Sequence, residues 1–210
     1  FGSIETMVQA QKQKDEVGYT IEGFRYTAVQ GEIKNWEINA REAMLYEKSR
    51  TVLAQQARIH MYDSTGKITY IEGDKAYYQM GTRDIDLEGH VKVTFPDGFQ
   101  VETTQAHYAA LQDLVSTNSA FEGRSTGKSG ESMQIWGTGF KSVKSGPNIE
   151  ILKNARVKIK RGTEAETTEV FSDFANVNRA TKIAKFNMTS SNKRVRSLQG
   201  SLDVQSRFQE

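Results

Sequence analysis

Along much of this chain apolar and polar residues alternate one for one, the period of strands that bury a single face. Leu87, Gly89, Val91, Val93 and Phe95 hold alternate positions, with Glu88, His90, Lys92 and Thr94 between them. Pro96-Asp97-Gly98 follows, and then Phe99, Val101 and Thr103 alternate again. Two antiparallel strands and a tight turn are expected there. The rival is helical: Glu37 to Tyr62 is rich in Ala, Glu, Lys, Gln and Leu, and Ile38, Leu45, Val52 and Ile59 recur every seventh residue. The companion seam positions are Arg41, Lys48 and Gln55, so a helix would carry an apolar stripe one residue wide. Strands are the better reading.

The alternation breaks in a regular way. Two apolar or small residues two apart precede a step of three at Ile38/Ala40 then Ala43, Ile71/Gly73 then Ala76, Val101/Thr103 then Ala106, Ile135/Gly137 then Phe140, and Val170/Ser172 then Ala175. The landing residues are spaced by 33, 30, 34 and 35. In a strand a step of three reverses the side-chain phase unless a bulge or bend absorbs it, so each copy predicts a corner. A second phrase recurs between the corners, at Leu53 to Ile59, Leu87 to Val93, Leu152 to Ile159 and Leu198 to Val204. A unit of about 30–35 residues holding two bent strands, stacked on its own copies, accounts for both patterns.

The expected fold is therefore all-β, an elongated jellyroll bent like a taco, in one domain over residues 1–210. Gly123 to Gly130 reads as an exposed loop and Lys144 to Pro147 as a seam between two groups of repeats. The pattern continues across both, so neither is a domain linker. Ser190 to Arg196 reads as a solvated turn before the last strand.

Composition narrows the function classes. With 37% hydrophobic and 10% aromatic residues in 210, the chain has the material for a core. Lys and Arg number 28 against 26 acids, a net +2 with both signs interspersed, which argues against a nucleic-acid partner. The absence of cysteine removes thiolate chemistry and suits an oxidising compartment. No run approaches the ~20 apolar residues of a membrane helix. The chain starts at Phe1 and not at Met, which leaves room for an upstream segment removed by processing.

Candidate chemistry is thin. His60, His90 and His107 lack neighbours at metal-ligand spacing. Asp84, Asp86 and Glu88 alternate about 6–7 Å apart, a separation a glycan-cleaving acid pair can use, but Ile85 and Leu87 between them belong to the core face, which puts the acids in water. Gly137-Thr-Gly139 lacks the rest of a phosphate loop and reads as backbone at a crowded corner. Asn187-Met-Thr189 is a formal glycosylation triplet and no more.

A resemblance goes further than these motifs. Trp36-Glu-Ile-Asn-Ala40, Ile71-Glu-Gly-Asp-Lys-Ala-Tyr-Tyr78, Asp84-Ile-Asp-Leu-Glu-Gly-His-Val-Lys-Val93, Asp97-Gly-Phe-Gln-Val-Glu-Thr103 and Gly137-Thr-Gly-Phe140, in that order, resemble the lipopolysaccharide-export periplasmic proteins of Gram-negative bacteria. The order is most like the inner-membrane-anchored LptC type and is also similar to LptA/OstA-type bridge domains. Residues 20–145 are the family-like core, and 146–210 read as further copies of the unit.

The resemblance implies an OstA/LptC-type jellyroll in the periplasm, tethered to the inner membrane by an N-terminal segment outside this chain and serving outer-membrane biogenesis. Lipid A acyl chains of lipopolysaccharide would lie in its apolar interior, with no catalysis and no cofactor. The partners would be the inner-membrane lipopolysaccharide ABC transporter and an LptA-like periplasmic bridge, the latter joined by edge-strand addition. The candidate edges are Ile21 to Ala28 and Ser201 to Phe208. The expected acyl-chain lining is Ile38, Leu45, Leu53, Ile59, Met61, Ile71, Tyr78, Leu87, Val91, Val93, Phe95, Val101, Tyr108, Ile135 and Phe140. The alternatives are a structural or carbohydrate-binding cell-surface β-repeat protein with a solid core, and a glycan-cleaving enzyme using Asp84, Asp86 or Glu88.

Overall fold

The alternating segments become strands throughout the computed structural model, which describes residues 17–30, 33–126, 131–144, 146–160, 167–187 and 196–198. The strands are β1 (Val17–Gln30), β2 (Ile33–Tyr46), β3 (Thr51–Tyr62), β4 (Ile68–Gln79), β5 (Ile85–Thr94), β6 (Gln100–Ala109) and β7 (Leu114–Thr126). They continue with β8 (Ser132–Val143), β9 (Asn148–Lys160), β10 (Thr167–Ser172), β11 (Phe174–Asn178), β12 (Ile183–Asn187) and β13 (Arg196–Leu198). Each strand from β1 to β10 pairs antiparallel with the next, β13 adds beside β10, and β11 pairs with β9 and β12. The helical alternative for Glu37 to Tyr62 is absent; β2 and β3 pair there, with Ile38 opposite Ile59 and Ala43 opposite Ala54.

The predicted corners are real. The β2–β3 ladder skips from Asn39 to Glu42. Register shifts fall between Glu72 and Lys75 in β4, Thr103 and His107 in β6, and Trp136 and Thr138 in β8. The fifth corner separates β10 from β11 at Asp173. Ala43, Ala76, Ala106, Phe140 and Ala175, the residues after each step of three, are all buried. Strands β1, β3, β5 and β9 bend instead through left-handed residues: Gly23, Gln56, the pair Gly89 and His90, and Asn154. Three of these four bends lie inside the second repeated phrase.

Every strand that crosses a corner contributes to two arms, and the arms face each other. The first arm ends in hairpin turns at 63–67 and 95–99, the second in turns at 47–50, 80–84, 110–113, 144–147 and 179–182. The turns of the second arm recur at the spacing of the sequence unit. Cross-arm ring contacts mark the interior: Tyr26 and Trp36 of the first arm lie 5.5 and 4.8 Å from Tyr78 of the second, and Phe121 meets Phe140 edge-on at 5.1 Å.

Two loop expectations are corrected. Gly123 to Thr126 belongs to β7, because a glycine at 123 lets Ile135 and Phe99 close over the backbone; residues 127–130 lie outside the described residues. Lys144, Gly146 and Pro147 lie in the tight connection between the paired strands β8 and β9, with the Gly146 N–H donating to the Val143 carbonyl, and not in a seam between groups of repeats. Residues 190–195 and 201–208, the expected solvated turn and second edge, lie outside the described residues.

Candidate functional site

The apolar phases of the two arms meet in one buried cluster that runs from β2 to β12. Of the fifteen expected lining residues, thirteen belong to it: Ile38, Ile59, Met61, Ile71, Tyr78, Leu87, Val91, Val93, Phe95, Val101, Tyr108, Ile135 and Phe140, none more than 4% exposed. Leu45 is half-buried and packs against the cluster. Leu53 does not join it. The bend at Gln56 makes β3 step from Ala54 to Ala57 on the inner face, so Leu53 points outward and packs with Tyr46, Tyr77 and Met44 in a separate small cluster. The lining list misses Trp36, Phe99, Phe121 and Met133, and everything beyond residue 146, including Ile151, Val157, Val177 and Phe186. Trp36 and Phe99 were readable, since each keeps the alternating phase of a strand already recognised.

Burial shifts the tyrosines at this interface. Desolvation pushes the Tyr78 phenol up to about 12, with a hydrogen bond to Tyr26 adding to it. Tyr108 is raised still further by burial and by Asp113, whose Oδ1 accepts its hydroxyl at 2.9 Å. Both are neutral at any physiological pH and act as apolar surface with one polar tip.

The mouth of this interior, where the arms' turns approach one another, is polar. Arg179, in the turn between β11 and β12, donates through Nη1 to Asp97 Oδ2 at 2.5 Å and through Nη2 to the Gly146 carbonyl. Its guanidinium lies 3.9 Å above the centroid of the Phe95 ring, and its buried Nε has no hydrogen-bond partner. Burial lowers its pKa, opposed by Asp97, and the group stays a cation. Lys182 pairs with Glu131, from the other lip. Lys144 contacts Asn35 near the start of β2 at 3.3 Å and Asp113 at 3.1 Å, with its side chain only 7% exposed. Three cations of the second arm thus reach acceptors on the first.

The acids placed in water by sequence reading are engaged in structure instead. Asp84 Oδ1 accepts the Ala110 N–H at 2.8 Å, and Asp86 Oδ1 lies 2.6 Å from His107 Nδ1. Glu88 is buried, because the outward cluster of Leu53 and Tyr77 covers that face; the Tyr77 hydroxyl donates to it. Ile85 and Leu87 do face the core. His90 pairs with Asp74 at 2.7 Å, and His60 stacks edge-on against Tyr70. Gly137 and Gly139 are crowded-corner backbone: a Cβ on Gly137 would sit 2.4 Å from Ile151 Cγ2, and Gly139 has φ +76°.

With this geometry in place, the comparisons are specific. The family described as lipopolysaccharide-assembly, LptC-related, matches residues 3–160, well over half of the chain. Among solved structures the chain is similar to LptH, the LptA-homologous periplasmic component of the lipopolysaccharide transport device of Pseudomonas aeruginosa. The TM-score is 0.52 at 10% identity, covering 63% of this chain and 95% of that one, a likeness of fold. None of the curated proteins matches.

Proposed function

The chain belongs to the LptC-related lipopolysaccharide-assembly family, and from that premise we propose that it is a periplasmic component of lipopolysaccharide transport whose two arms part to take acyl chains between them. The family is one of transport proteins without catalysis, which removes the glycan-cleaving reading of Asp84, Asp86 and Glu88. The observation that carries the proposal is the continuous apolar cluster between two arms with no disulfide among the described residues to hold them together.

The physical demand is large. Each methylene moved from water gains about 0.8 kcal/mol, so one ~12-carbon tail left in the periplasm costs about 10 kcal/mol. The interior is filled by its own side chains in this structure. Lipid therefore replaces side-chain contacts with acyl contacts, an exchange of one apolar environment for another, and the net cost of loading falls mainly on separating the polar mouth. A near-repeat of about 30–35 residues gives similar sites in series, which suits sliding rather than trapping.

Handover is proposed along the sheet. Strand β1 pairs only with β2 among the described residues, and it leaves Tyr19, Ile21, Tyr26 and Val29 exposed. An LptA-like bridge adding a strand there would extend the interior from one protein to the next. The inner-membrane ABC transporter supplies the work, and a membrane anchor outside this chain supplies the tether. No helix among the described residues is long and apolar enough to cross a membrane.

A solid-core structural protein would show the same filled interior, and the two readings part on whether the arms open. A photocrosslinker replacing Phe95, buried at the mouth, tests this in living cells. Lipopolysaccharide adducts from Phe95, with none from Lys92 or Thr94 on the opposite phase, support the proposal. Equal labelling of both phases, or none at Phe95, refutes it.

A further inference from the structure

Elsewhere on this molecule outward neighbours include the charged pairs Arg58–Glu72, Arg124–Glu102 and Arg156–Glu169. The end of the second arm is different. Where β9, β11 and β12 lie side by side, Asn148, Asn176, Asn178 and Asn187 line a hollow of about 590 Å³ together with Thr181 and Lys185. The register makes this a grid: Asn148, Asn178 and Ile183 form one row, Glu150, Asn176 and Lys185 the next, and Phe174 stands opposite Asn187 in the third. Neighbouring strands are about 4.8 Å apart and alternate residues about 6.8 Å, so the amides stand at regular short intervals.

Two of the asparagines are committed to the protein. Asn178 Nδ2 donates to Asn148 Oδ1 at 2.9 Å, and Asn178 Oδ1 accepts the Thr181 N–H at 2.9 Å, which fixes both side chains. The side chains of Asn176, Asn187 and Lys185 have no hydrogen bond or ion pair among the described residues. Each free amide offers two donors and an acceptor, the combination that matches a hydroxyl able both to give and to take. Ile183, 53% exposed, also lines the hollow, and Phe174, 38% exposed, stands opposite Asn187. A single free cation is too little for a polyanion such as nucleic acid, and a hollow floored by amides lacks the central apolar anchor of a protein interface.

We propose that this hollow is a saccharide site that takes hydroxyl-rich sugar rings carrying an anionic substituent, with the substituent at Lys185. The saccharide is the sugar portion of the lipid whose tails enter the interior, an assignment of source that rests on the transport reading. Position supports it: Asn178 and Thr181 flank Arg179, and Lys182 follows, so the hollow adjoins the mouth where a head group would emerge. Tails between the arms and sugars on the outer hollow would hold an amphiphile by both ends. Being open and polar, the site should bind weakly, on the order of millimolar.

The test is an NMR titration of the full chain with deacylated lipopolysaccharide oligosaccharide, with maltoheptaose as a neutral probe and soluble peptidoglycan fragments as an alternative source. The oligosaccharide is expected to shift the side-chain amide signals of Asn176 and Asn187. Asn176→Ala combined with Asn187→Ala should weaken it about tenfold. Lys185→Gln should weaken the anionic probe alone and leave maltoheptaose unchanged. Acyl labelling from Phe95 is read in the same variants. Labelling retained with no saccharide binding overturns this inference and spares the transport reading. Binding of peptidoglycan fragments in preference to the oligosaccharide overturns the assigned source. Saccharide binding with no labelling at Phe95 upholds the hollow and sinks the transport reading.

Discussion

At the corners the arms are joined by continuous backbone and by residues too small to give way; at the mouth they are joined by three cations reaching across. Gly137 has no room for even a methyl group, and Ala43, Ala76 and Ala106 pack where larger side chains would force the bend open. Arg179, Lys182 and Lys144 hold polar partners that water can replace. Overpacking a corner is paid in full, whereas the clasp's carboxylates Asp97 and Glu131 are partly exposed and hydrate on separation. The difference makes the corner a hinge and the mouth a clasp.

Breaking the hinge has the largest expected effect. Gly137→Val should destabilise the chain by about 3 kcal/mol, read from the urea midpoint; a change near zero would show that the corner yields. Breaking the clasp should cost less stability and change access more. Arg179→Met should lower stability by only about 1–2 kcal/mol, because Asp97 is already partly hydrated. It should also speed maleimide labelling of a cysteine placed at Val93 about tenfold through easier local opening. The chain has no cysteine of its own, so the background is clean. Unchanged labelling would mean the clasp does not govern opening.

Two pH predictions sharpen the contrast, because they involve neither the small residues of the hinge nor the cations of the clasp. Hydrogen bonds from Lys34, Asn39 and Arg25 lower the Glu37 carboxyl from 4.5 to about 2, tying β1 to β2. A depressed folded pKa gives stability that is complete above about 4.5 and lost as pH falls toward 2. Amide protection across β1–β2 should fall in that window, and Glu37→Gln should lose the same protection at neutral pH. The smallest effect concerns His107, raised above 6.5 chiefly by its hydrogen bond with Asp86. A raised folded pKa gives stability that is present below 6.5 and lost as pH rises through the folded value. The loss should be a few tenths of a kcal/mol, since His107 is partly exposed, and His107→Gln should abolish it in melting curves taken from pH 6 to 8.

The hinge was legible in the sequence, because a bend leaves a local mark: a step of three where two was expected, five times over. The interior was legible for the same reason, down to thirteen of fifteen residues. Leu53 was misplaced because the bend at Gln56 needs a left-handed residue, and glutamine does not announce one as glycine does. Glu88 was misplaced because its cover comes from the outward phase of β3 and β4, a contact that alternation on its own strand does not encode. The clasp was not legible at all. Arg179 and Asp97 are separated by 82 positions, and only the folding of the sheet brings them together. The hollow of asparagines was missed likewise, since its rows are written across three strands.

The central claim is that acyl chains enter by parting the mouth. Cysteines at Asp97 and Arg179, bridged by a short bifunctional maleimide, would hold the lips together while leaving the hinge untouched. Acyl labelling from a photocrosslinker at Phe95 should then fall to background and return when the bridge is replaced by monofunctional maleimide. Labelling at the same rate in bridged and unbridged protein would contradict the account.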